Sequence, residues 1–133
     1  DDVGRRIETD ATGNVYVTGT SESSSRDIVT IKYDAAGQVL WDVRYDGPGH
    51  SSDEPAGLAV DAAGNVYVAG NSQAYSSGED ILLIKYNAAG QLQWAKSYTG
   101  PSDYPDEAEG LFVDRAGNVY VAGSTNVSGT NKK

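Results

Sequence analysis

Cysteine and methionine are both missing from the chain, and histidine and phenylalanine each occur once. Without cysteine there is no disulfide framework, no thiolate zinc or iron–sulfur site, and no thiol nucleophile. A lone imidazole cannot build a multi-histidine metal centre. His50 lies in the loop Gly47-Pro48-Gly49-His50-Ser51-Ser52, where a solvent-facing side chain is expected rather than a catalytic one. Basic residues are scarce: 10 Lys and Arg stand against 19 Asp and Glu, a net charge of −9. That field repels a phosphate backbone and anionic lipid, so nucleic acid is not an expected partner. No apolar run nears the roughly 20 residues of a membrane-spanning helix, so membrane insertion is not expected either. Glycine-rich phosphate loops and a GxSxG elbow are absent too; Gly47-x-Gly49 starts a GxGxxG that Ser52 breaks. A chain that opens on Asp1 and lacks methionine is expected to be a processed product or part of a longer protein.

What the chain does have is repetition. Gly13-Asn14-Val15-Tyr16-Val17-Thr18-Gly19 returns at Gly64 to Gly70 and again at Gly117 to Gly123, with Ala in place of Thr. The spacing is 51 residues from Gly13 to Gly64 and 53 from Gly64 to Gly117. A fixed long period means stacked supersecondary units rather than one irregular domain. Ahead of each copy lies a segment running from Asp2, Asp53 or Asp106 to a turn, Asp10-Ala-Thr-Gly13, Asp61-Ala-Ala-Gly64 or Asp114-Arg-Ala-Gly117. Asp accepts backbone N–H groups at the head of such a turn and Gly supplies positive φ at its end, the pattern of a hairpin with a type I turn and a glycine bulge. The later copies of the leading segment are apolar at Gly57–Val60 and Gly110–Val113. The first has Arg6, Glu8 and Thr9 there, as expected of a terminal repeat.

Ser-rich connectors, Thr20 to Arg26 and Asn71 to Glu79, read as polar loops. A third strand follows, Asp27 to Tyr33, matched by Asp80 to Tyr86, then a second Asp- or Asn-Ala-Ala-Gly turn. A fourth strand comes last, Val39 to Tyr45, matched by Leu92 to Tyr98. The third strand is apolar on both faces and the fourth on one, so four strands of decreasing burial are expected, the outermost half exposed. One such sheet cannot cover its own two faces, but siblings stacked flat against it can, which is the logic of a β-propeller blade. A β-solenoid would need a shorter repeat, and a two-sheet sandwich does not require such regularity. The expected fold is all-β, with propeller-type blades of four antiparallel strands and about two and a half blades in this chain. Residues 1–52 form the first repeat, 53–105 the second, 106–123 a half repeat and 124–133 a polar tail.

The strings D-x-x-GNVYV-[TA]-G and D-I-x-x-IKY-[DN]-AAG, with the following Trp and Tyr, resemble the SBBP β-propeller repeat over nearly the whole chain. That resemblance implies a non-enzymatic structural or interaction scaffold, part of an extracellular or cell-surface protein. Two and a half blades leave open edges that template pairing, so the expected partners are further blades of a longer parent or other copies of the chain meeting through those edges. The alternative is a fragment of a propeller enzyme, a lyase or glycoside-active protein, or a carbohydrate-binding module, with its site in blades absent here.

No catalytic or cofactor-binding residue emerges from the repeats. Acidic residues gather between repeats, Asp53 and Glu54 at one crossing and Asp103, Asp106, Glu107 and Glu109 at the next. Asp53, Glu54, Asp106 and Glu107 are the candidate ligands, with calcium the cation such oxygens suit, although the spacing matches no EF-hand. A solvated acidic rim is the simpler expectation, and no cofactor is required. Trp41, Tyr45, Trp94 and Tyr98 recur at period two, which favours packing between blades over stacking on sugars. Asn126-Val127-Ser128 has the form of a glycosylation sequon.

Overall fold

The computed structural model describes residues 1–74, 78–100 and 104–126. Ten strands are found: β1 Asp2–Thr9, β2 Val15–Glu22, β3 Arg26–Tyr33, β4 Val39–Tyr45, β5 Asp53–Val60, β6 Val66–Ala74, β7 Gly78–Tyr86, β8 Leu92–Tyr98, β9 Asp106–Val113 and β10 Val119–Thr125. They form three antiparallel sheets, in the orders β1-β2-β3-β4, β5-β6-β7-β8 and β9-β10. Val15, Val66 and Val119 thus belong to three separate sheets, as stacked blades require. β10 continues through Ser124 and Thr125, two residues into the expected tail.

The repeated heptapeptide is explained position by position. Its first glycine closes the turn at φ near +82°, as at Gly64, whose N–H donates to the Asp61 carbonyl. Its asparagine and tyrosine both donate to the turn aspartate, Asn65 Nδ2 at 2.9 Å and Tyr67 Oη at 3.1 Å from Asp61 Oδ2. Its last glycine passes a bulge in the preceding strand: a Cβ on Gly70 would lie 2.3 Å from the Glu54 carbonyl oxygen. The bulge falls at the same place in all three inner hairpins, and in the second blade it follows Pro55 in an edge strand, where the missing N–H costs no ladder bond.

Two expectations are corrected. Thr20 to Glu22 and Arg26 are not loop: β2 and β3 pair out to Ser21↔Asp27 and Glu22↔Arg26. Likewise β6 and β7 pair out to Ala74↔Gly78, while residues 75–77 of the second connector lie outside the described residues. The strand ends are polar because they emerge at the sheet's rim, yet the backbone ladder still satisfies them. Burial also does not decline from the first strand to the fourth. The middle strands are the most buried, β1 is exposed throughout, and β4 and β8 are largely exposed. An inner strand at an open end has no neighbour over it, whereas β2 and β3 are flanked within their own sheet.

Side-chain alternation gives each blade two faces. The forward face of the first blade carries Tyr16, Thr18, Ile28, Thr30, Trp41, Val43 and Tyr45, in cross-strand rows set by the pairings Tyr16↔Lys32↔Trp41 and Thr18↔Thr30↔Val43. The rear face of the second blade carries Val66, Val68, Leu82, Ile84 and Tyr86. These two faces meet to form the hydrophobic core. Thr18 and Thr30 are buried but satisfy each other at 3.1 Å, with Thr18 Oγ1 also donating to the Val29 carbonyl.

Candidate functional site

The aspartates of the inner-hairpin turns are committed to architecture. Asp10 Oδ1 accepts the amides of Thr12 and Asn14, and Oδ2 accepts Asn14 Nδ2 and Tyr16 Oη. These bonds, Asn14 first, hold the Asp10 carboxyl well below its ordinary range. At Asp61, burial pushes upward but is outweighed by Asn65 and Tyr67, and at Asp114 the Asn118 bonds lower the pKa. Such carboxylates are turn chemistry rather than ligands.

Between the blades, Trp41 acts as a latch. Its ring lies edge-on to Tyr16 at 6.3 Å and tilted against Tyr86 of the next blade at 6.4 Å. Its Nε1–H donates to the Ala88 carbonyl at 3.1 Å, and the ring covers Gly90, where a Cβ would come within 2.8 Å of Cδ2. The Ala-Ala-Gly turn of one blade is therefore the seat for the indole of the blade before it. Trp94 repeats only the near half of this arrangement: it meets Tyr67 at 6.5 Å and lies under Lys96. The third sheet has no outer hairpin among the described residues, so no Ala-Ala-Gly turn meets Trp94, and Tyr98 beside it is 56% exposed. The expectation of packing between blades thus holds for Trp41 and Tyr45 and is corrected for Trp94 and Tyr98. On the inner half, β9 does cover the second blade: the Ala108 amide donates to Asn71 Oδ1 at 2.8 Å.

The four expected cation ligands do not come together. Glu54 sits inside β5 and is ion-paired with Arg26, which also holds Glu22 at 2.9 Å and so ties the two blades. Glu107 is an exposed residue of β9, as is Glu109. Asp103 and the sequon residues Val127 and Ser128 lie outside the described residues. Asp53 and Asp106 open their strands and are almost fully buried, each accepting the amide of a glycine six residues earlier: Gly47 N at 2.8 Å and Gly100 N at 2.6 Å.

Asp53 instead gathers with Asp27, at the start of β3, and Asp46, just past β4: one carboxylate oxygen from each lies within 4.8 Å of the other two. Burial works to raise the Asp27 pKa, but Ser25 Oγ at 2.6 Å and Arg44 Nη1 at 2.8 Å outweigh it and hold the carboxyl low. Asp53 goes the other way: burial pushes its carboxyl up, Asp27 and Asp46 add to the push, and Ser72 and the Gly47 amide only partly oppose it. Tyr45, packed alongside, is raised by burial with Asp53 and Asp46 adding, and Tyr86 is pushed up to about 12 by burial. His50 is solvent-facing as expected, but it adopts φ +49° and meets Asp46 Oδ2 at 2.5 Å, which raises the imidazole pKa. The sequence showed neither Asp27 nor Asp46 as part of a cluster. Aligning the repeats would have hinted at it, since Asp27 and Asp53 recur as Asp80 and Asp106, whereas Asp46 is replaced by Thr99.

The SBBP beta-propeller repeat matches residues 43–76 and 93–129. The chain belongs to this family. Each matched SBBP segment begins in an outer strand, crosses to the next blade and continues through its inner hairpin, so the first match contains Asp46 and Asp53 of the acidic crossing. The SBBP chain is also similar to the regulatory protein FlaEY of Caulobacter vibrioides, 31% identical over 134 residues that cover 88% of this chain. It spans 13% of that protein's length. Membership in a repeat family and a relative named as regulatory both accord with a repeat scaffold.

Proposed function

We propose that the chain is a non-enzymatic, extracellular or cell-surface scaffold segment that stacks head to tail on further copies of the same repeat. One observation carries this reading. The rear face of the first blade has Val15, Val17, Val29, Ile31 and Tyr33 where the buried rear face of the second has Val66, Val68, Leu82, Ile84 and Tyr86. The first set is only half-buried, and its Val17, Val29 and Ile31 line an open groove of about 340 Å³ together with Asp42 and Arg44. At the opposite end, the half blade exposes Phe112 at 64% and Tyr120 at 56%, rings 6.2 Å apart. One end thus presents the apolar half of a blade contact and the other end its complement, a heterologous arrangement that extends rather than closes on itself. The surface placement rests on the family resemblance.

Light scattering coupled to size exclusion tests the stacking. The wild-type chain is expected to self-associate with rising concentration. Ile31→Lys and Phe112→Lys, one at each open end, are each expected to be monomeric alone, and to form a dimer when mixed because each retains one good face. Circular dichroism should show both variants folded, whereas Ile84→Lys, at the buried counterpart of Ile31, should unfold the chain. A wild-type chain that stays monomeric at the highest attainable concentration, or a mixture that forms no dimer, overturns the proposal.

A further inference from the structure

We propose that Asp27, Asp46 and Asp53 bind one divalent, oxygen-preferring cation, with calcium as the fitting ion, at the crossing from the first blade to the second. Their carboxylate oxygens, one from each, all lie within 4.8 Å of one another, the spacing of oxygens that share an ion at about 2.4 Å from each. Proximity of acidic groups alone does not make a site. The second observation is Asp53 Oδ1, which is buried and has no hydrogen-bond partner on a residue only 1% exposed. The donors that do reach this carboxyl, the Gly47 amide on Oδ2 and the Ser72 hydroxyl, are both neutral and leave its charge unbalanced. A carboxylate oxygen stripped of water and given no donor is costly unless something else meets it.

The charges around the cluster point to what that something is. Asp27 has a cation of its own in Arg44, and Asp46 has His50 at its outer side. Among the described residues, no Lys, Arg or His is paired with Asp53. Three carboxylates therefore share one permanent positive charge, and a divalent ion supplies the balance. Asp46 is exposed, which leaves the cluster an open side through which an ion can enter and keep part of its water. The next crossing shows what belongs to the architecture and what is added here. Asp106 repeats both the glycine amide bond and the buried, unpartnered Oδ1, but Thr99 stands where Asp46 is. The buried aspartate is thus a feature of both crossings, and the exposed carboxylate turns the first into a three-carboxylate site. An ion there ties the start of β3, the end of β4 and the start of β5, and so fixes one blade against the next.

Calcium titration of the whole chain, freed of divalent ions by a chelator, tests this by calorimetry and thermal melting. The wild-type chain is expected to release binding heat and to melt at higher temperature with calcium, and to respond less to magnesium, which demands tighter octahedral geometry. Asp46→Asn changes an exposed side chain and should weaken calcium binding at least tenfold with an unchanged melting temperature in chelator. Asp53→Asn retains an acceptor for the Gly47 amide and removes the charge. It should fold at least as stably as wild type in chelator and show no calcium response. No heat and no melting shift for the wild type, or the same calcium response in both variants as in the wild type, overturns the proposal. Protonation of Asp53 would then account for its buried oxygen.

Discussion

Trp41→Ala should destabilise the chain far more than Trp94→Ala, although the two indoles occupy the same place in successive repeats. Truncating a buried Trp costs about 3–5 kcal/mol. Trp41 is partly buried, so the packing loss falls near the lower end of that range, and its hydrogen bond to Ala88 and tilted contact with Tyr86 belong to the sum. Trp94 keeps the contact to Tyr67 within its own blade and lacks the second half, so its loss is about 1 kcal/mol. A gap of about 2 kcal/mol is more than tenfold in the unfolding equilibrium. Urea titrations followed by far-ultraviolet circular dichroism measure it without depending on the indoles. They should be run at concentrations low enough to keep the chain monomeric, since a stacked copy would cover part of the open end. If Trp94→Ala costs as much as Trp41→Ala, the latch between Trp41 and the Ala-Ala-Gly turn does not contribute as its geometry implies.

Gly37 and Gly90 offer an internal control, being left-handed residues of the same turn at φ +83° and +81°. A Cβ at Gly37 meets nothing within 4 Å, whereas at Gly90 it runs into Trp41. Gly37→Ala should therefore cost about 1–2 kcal/mol for backbone conformation alone, and Gly90→Ala should cost more in the same denaturant titration, because the latch must also open. The pH dependence has two opposing parts. Asp10, Asp61 and Asp114 have folded pKa values below the ordinary 3.8, so the stability they contribute is present above that value and lost as pH falls through the lowered ones. Asp53 is raised, so its contribution is present below 3.8 and lost as pH rises through its elevated value. Thermal melts in chelator should show the midpoint dropping as the solution is acidified below about 4, and Asp53→Asn should remove the loss on the higher side. A midpoint unchanged from neutral pH down to about 2 would contradict the turn bonds.

The blades were legible because their signals are local and repeated. Each Asp-x-x-Gly turn announces a hairpin, and Val-Tyr-Val announces its return strand. Polar ends were not, since Thr20, Ser21, Glu22 and Arg26, like Asn71 and Ser72, look like loop residues until a neighbouring strand supplies the ladder that satisfies them. The acidic crossing was invisible for a different reason. Asp27, Asp46 and Asp53 come from three strand ends of two sheets, and only the passage of the chain between blades brings them together. Trp94 departs from expectation because a period predicts equivalence, whereas burial depends on the neighbouring blade.

The indole of Trp41 reaches a carbonyl 47 residues further along the chain. Consolidation therefore runs backward against the direction of synthesis. A nascent sheet leaving the ribosome has its own ladder but no seat for its aromatic bolt, and it is secured only when the outer turn of its successor has emerged.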